Sequence, residues 1–179
     1  MLQLVVECEA RDDMPKFGVW TGYRLPDDRS PWHPLVARLY EYWLSIAPGD
    51  GLPGRQHLVP EDIAPLWSRL WMLDVSHGPV RYRYRLCGTE VVRALGREVT
   101  GNWLDEVHPE LIVNPESCER FRFTVTTGCP TWRRGPPLWT RNPLHQTLES
   151  CIVPLATDGR SVNMMLGVAV AFDSSGRMI

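Results

Sequence analysis

The chain has 179 residues and a formal net charge of −2, enough for one domain with an extension that buries its core without staples. That balance argues against a bulk nucleic-acid binder, which leaves a basic footprint, and no apolar run reaches the length of a membrane-spanning helix. The five cysteines, Cys8, Cys87, Cys118, Cys129 and Cys151, are odd in number with no C-x-x-C pair, which argues for reduced thiols in a cytoplasmic protein and against a disulfide framework or a cysteine zinc site.

Residues 1–30 read as an arm, with a short strand at Leu2–Val6 and then a loop rich in Asp, Pro and Gly. The start, MLQLVVECEA, lacks the basic region of a secretory signal. Ser30 is the expected cap of a helix in which Leu35, Leu39, Trp43 and Ile46 recur at helical spacing until Pro48-Gly49. Its wide aromatic stripe either covers a sheet or, through Leu39 and Trp43, forms a dimer or partner seam. Pro60 opens a short helix that ends near Arg69.

Leu70–Val75 and Val80–Leu86 then form a hairpin. In VRYRYRL, Tyr82, Tyr84 and Leu86 alternate with Arg81, Arg83 and Arg85. The arginine face is read as solvated and paired with nearby acids, with anion binding as the alternative. Thr89 is the expected cap of a helix ending at Gly96, and a second helix runs from Pro115 to Thr127 with Phe121 and Val125 on one face. Between them GNWLDEV packs around Trp103. Pro130–Thr140 is an edge strand interrupted at Gly135-Pro136-Pro137, and His145–Pro154 is a longer strand that turns at Asp158-Gly159.

The last strand, Ser161–Phe172, is the expected centre of an antiparallel sheet. Val162, Met164, Leu166, Val168, Val170 and Phe172 make a bulky face suited to a core. Asn163, Met165, Gly167, Ala169 and Ala171 make a face that narrows to Gly and Ala, leaving room for a helix or a ligand. No nucleophile elbow, zincin or phosphate-loop pattern occurs.

The order of hydrophobic strand, RLCGTE at 85–90, helix, GREVTGNW at 96–103, and the run VPLATDGRSVNMMLGV at 153–168 resembles the PAS domain family, in particular small stand-alone bacterial members with an N-terminal helical extension. The resemblance covers residues 31–172. It implies an α+β fold, a five-stranded antiparallel sheet with short helices on one face, plus an N-terminal helical cap. The divisions would be an arm at 1–30, the cap at 31–69, the PAS-like domain at 70–172 and a tail at 173–179. It further implies a non-enzymatic sensory or docking module that takes a small molecule, a partner signalling protein, or both, and that forms a homodimer. A pure adaptor with a filled core, acting through the first helix, is the alternative.

Photosensory members bind flavin through a Cys in G-x-N-C-R-F-x-Q, and PESCERFRF at 115–123 lacks the Gly-x-Asn and the Gln. Haem binders carry a His on the helix before the third strand, and residues 115–128 contain none. Neither cofactor is expected. The family's ligand space would be lined here by Trp103, Phe121, Trp132 and Met165, with Arg122 or Arg134 as an anion anchor, or these aromatics simply fill the core.

Overall fold

The computed structural model describes residues 29, 31–49, 51–113, 115–138, 140 and 142–179. The expected arm, apart from Arg29, and the Ser30 cap lie outside the described residues. Helix α1, Pro34–Ser45, starts at His33, whose Nδ1 accepts from the Leu35 N–H at 3.2 Å. Pro34 opens the first turn, where its missing N–H is not needed.

Five strands form one antiparallel sheet: β1 (Leu70–His77), β2 (Val80–Cys87), β3 (Thr131–Gly135), β4 (Thr147–Leu155) and β5 (Met164–Phe172), in the order β2-β1-β5-β4-β3. The expected last strand is therefore central, with β1 and β4 on its flanks. It begins at Met164, later than expected. Asp158 holds the preceding turn by accepting from the N–H groups of Arg160 and Ser161, and Gly159 sits there at φ 74°.

The β1–β2 pairing carries a bulge. Met72 lies opposite Leu86 while Leu73 lies opposite Tyr84, so Arg85 is the extra residue. The bulge separates Leu86 from the face of Tyr82 and Tyr84 and leaves it exposed, which corrects the expected alternation. The arginines do pair locally. Arg81 grips Asp105 with two bonds of 3.1 and 2.9 Å and also reaches Glu106, and Arg85 meets Asp74 at 3.1 Å. Arg83 donates to the Gly101 carbonyl at 2.7 Å. Residues 101–103 lie along the outer edge of β2, with the Tyr84 N–H bonded to the Asn102 carbonyl and the Gly101 N–H to the Tyr84 carbonyl.

Four helices follow β2: α2 (Thr89–Leu95), α3 (Leu104–Val107), α4 (Pro109–Val113) and α5 (Pro115–Thr127). The residue preceding α2 at its cap position is Gly88, not Thr89. A Cβ at 88 would come 2.1 Å from the Trp67 carbonyl oxygen, so glycine is required by close approach. No helix among the described residues is long and apolar enough to cross a membrane.

Both faces of the sheet are covered. On one, Leu70, Met72, Val153, Leu155 and the bulky residues of β5 from Leu166 to Phe172 pack beneath Val36, Leu39, Tyr40 and Trp43 of α1. Leu39 is fully buried and Trp43 donates from Nε1 to the Pro154 carbonyl at 2.7 Å. Each such side chain contributes about 1.5–3 kcal/mol of burial. Leu39 and Trp43 thus cover the sheet of their own chain and offer no seam to a second one. On the other face, Trp71, Leu73, Val75, Tyr84, Ile152 and Met165 pack against the helices through Val91, Leu104, Val107 and Leu111. Val162, expected with the bulky face of β5, belongs to this second core because it precedes the strand.

The expectation of reduced thiols throughout fails at Cys129, which is disulfide-bonded; Cys87, Cys118 and Cys151 are free.

Candidate functional site

The small face of β5 looks into the space between sheet and helices, and two side chains decide how much of it stays open. Trp71 is the β1 residue opposite Gly167. Its indole lies across the glycine, where a Cβ would meet the ring Cζ2 at 2.2 Å. Phe121 from α5 meets the same indole edge-on at 6.3 Å between ring centres and Tyr82 at 5.3 Å. What remains, bounded by Leu73, Tyr84 and Leu111, is a cavity of about 40 Å³, far below the few hundred cubic ångströms of a drug-sized ligand.

Further along β5 the face is open. Ala169 and Ala171, with Leu148 of β4, form the apolar floor of a second cavity of about 160 Å³. Its walls come from Val91 and Ala94 of α2, from the connection carrying Asn142, Leu144 and His145, and from Ile179. Ile179 is held by its N–H to the Ala171 carbonyl, and Arg69 donates to its main-chain oxygen at 3.3 Å. The connection is pinned to α2, because Thr140 donates from Oγ1 to the Ala94 carbonyl. Glu90 and Arg93, at the rim, form an ion pair at 2.6 Å.

The polar lining has one fixed orientation. Asn142 accepts from the Leu144 N–H through Oδ1 at 3.0 Å, so its amide nitrogen faces His145 and lies 3.1 Å from Nε2. An amide nitrogen only donates, so Nε2 accepts and the ring proton resides on Nδ1. That Nδ1 is buried and meets no acceptor among the described residues. Burial first, and then the charge of Arg69, hold the His145 pKa below its ordinary value, which favours this neutral ring.

On the opposite face of the sheet a different polar centre ties down the cap. Glu149 of β4 is fully buried. Its Oε1 accepts from the His33 main-chain N–H at 2.7 Å and from Trp132 Nε1 at 3.1 Å, while Arg134 lies 3.5 Å from Oε2. Trp132 also stacks on Trp32, 5.4 Å between ring centres and nearly parallel.

The six residues expected to line one pocket are therefore dispersed. Phe121 and Met165 share the helix-bearing face and close its space. Trp132 lies under the cap with Glu149 on the opposite face, and Arg134, its side chain exposed, reaches Glu149 from the same side. Trp103 stacks on Arg81, 4.1 Å from the ring centre, at the outer edge of β2. Arg122 is exposed and ion-paired with Glu119. The small face of β5 was legible, but Arg69, Asn142 and His145 were not. The available signal was Asn142-Pro143, a turn in which the Asx side chain bonds its own backbone and aims at a residue three positions on.

Two of the thiols are poorly suited to nucleophilic chemistry. Burial pushes Cys87 and Cys151 up to about 12, leaving almost no thiolate near neutrality. Among the described residues, no three His, Cys, Asp or Glu side chains gather as metal ligands.

The family model described as a PAS domain matches residues 32–170. No curated protein matches the chain.

Proposed function

The chain belongs to the PAS domain family, and from that membership we propose that it is a sensory module without a reaction of its own, which receives a small molecule in the cavity over Ala169 and Ala171. The observation that carries this reading is the division of the inner face of β5. Trp71 fills the space at Gly167, whereas the neighbouring alanines leave about 160 Å³. An engineered apolar cavity of similar size, about 150 Å³, holds benzene. The walls belong to α2, to the connection carrying Asn142, Leu144 and His145, and to Ile179, so an occupant touches three segments near the surface. A partner protein that reads any of them receives the signal.

The test is native mass spectrometry of freshly purified protein beside the Ala169→Leu and Ala171→Leu variants, each checked for folding by circular dichroism. We expect an added mass below about 200 Da, consistent with the cavity size, that both filled variants lose. An added mass retained in both folded variants would remove this cavity from the reading. Protein that carries no added mass, and gains no thermal stability from any member of a fragment library, would favour the adaptor with a filled core.

A further inference from the structure

The charges around the cavity over Ala169 and Ala171 do not cancel, and under the sensory reading above, on which this inference rests, the surplus bears on the occupant. We propose that the occupant is a compact monocarboxylate, with its apolar body over Ala169 and Ala171 and its carboxylate on the guanidinium of Arg69. The lining holds two arginines, Arg69 and Arg93, and one acid, Glu90. Arg93 engages both oxygens of Glu90, at 2.6 and 2.7 Å, so those two charges satisfy each other. Among the described residues no side-chain carboxylate pairs with Arg69. Its Nη1 donates to the main-chain oxygen of Ile179 at 3.3 Å, which uses one donor of a group that has several.

Ile179 lines the same cavity, so the guanidinium stands at the cavity wall. Its field is felt along the lining: after burial, the charge of Arg69 is what holds the His145 pKa down. Arg69 is itself half-buried, and a charge-assisted bond beside apolar surface is stronger than one in open water. The planar fork of a guanidinium also matches a carboxylate. The floor of Ala169, Ala171 and Leu148 has no polar side chain. A second charge on the occupant would lie there unpaired, which favours a single carboxylate on an apolar body. The volume of about 160 Å³ suits a body of about six carbon atoms. Leu144 is exposed and part of the lining, so the cavity opens to the surface and the carboxylate keeps some of its hydration.

The experiment titrates the full chain with benzoate and with benzamide, which has the same shape and no charge. Amide signals of Ala169 and Ala171 are followed by NMR. Benzoate should bind at least about tenfold more tightly than benzamide, and Arg69→Gln, checked for folding by circular dichroism, should abolish that preference. In the unaltered chain the Nε–H signal of Arg69 should move with benzoate and stay in place with benzamide. A signal that ignores benzoate would overturn the proposal whether or not the variant folds, and so would a preference that survives in folded Arg69→Gln. Equal affinity for the two ligands would overturn it while leaving the cavity a ligand site. If neither ligand moves Ala169 or Ala171, the monocarboxylate falls, and the sensory reading is decided separately by the added mass and its loss in the filled variants.

Discussion

Trp71 lies flat across Gly167 on the paired strand, so close that a Cβ at 167 would stand 2.2 Å from Cζ2 of the indole. Gly167 is thus needed for space and not for backbone freedom. Gly167→Ala should cost about 1–3 kcal/mol, as overpacking of a filled core does. Chemical denaturation measures the loss. Because the clash is with one ring, Trp71→Leu in the same chain should recover part of it, giving a coupling energy in a double-mutant cycle. Additive losses would mean that the ring moves aside freely.

Glu149 holds two buried donors at once, the His33 main-chain N–H and the Trp132 indole N–H. Glu149→Ala strands both, at about 1–3 kcal/mol each. The loss should fall on the cap. Hydrogen exchange is expected to accelerate in α1 relative to β5, and uniform acceleration of both would deny that the carboxylate is a specific tie.

Truncation of α1 tests its place in the fold. Leu39→Ala removes a side chain that is fully buried against the sheet and should destabilise the chain by about 2–5 kcal/mol. Trp43→Phe keeps most of the packing but loses the bond to the Pro154 carbonyl, for about 1 kcal/mol. Both should leave the oligomeric state of the folded protein unchanged in analytical ultracentrifugation. A clean change in association without loss of stability would restore the seam expected from the sequence.

Stability should form a plateau in pH. Burial lowers His33 and His145 below the ordinary 6.5, so below that value the unfolded chain binds protons that the folded chain refuses, and stability falls as pH falls. Cys87 and Cys151 are raised from 9.0 to about 12. Above pH 9 the unfolded chain loses protons that the folded chain keeps, and stability falls as pH rises. Thermal melts should therefore be flattest between about pH 6.5 and 9. His33→Asn keeps a side-chain cap for α1 and should flatten the acid side, leaving the part due to His145. An acid limb unchanged by that substitution would exclude His33 as a contributor.

What the sequence disclosed follows from the range of each interaction. The two faces of β5, the arginine strand, the helix stops at Gly96 and Gly128 and the order of elements are local patterns, and they were legible. Alternation along β3 correctly groups Trp132 with Arg134, but a period of two does not say which side of the sheet the pair faces. They face α1, and so leave the expected pocket. The bulge at Arg85 inverted Leu86 for the same kind of reason. The room visible in Gly167 was real, yet its occupant, Trp71, lies almost a hundred positions away in sequence. The cavity itself needs Arg69, His145 and Ala169 together, a convergence that only the closed sheet produces.

Ile179 is at once a wall of the cavity and the end of a hydrogen-bonded chain. Its N–H is tied to Ala171 and its oxygen to Arg69. Displacement of the floor or of Arg69 is therefore transmitted to the main chain at 179 with no hinge between. The neighbouring Met178 is 43% exposed and outside the lining. A spin label placed there would register filling of the cavity as a change in its own tumbling, converting an invisible occupant into a mechanical displacement at the surface.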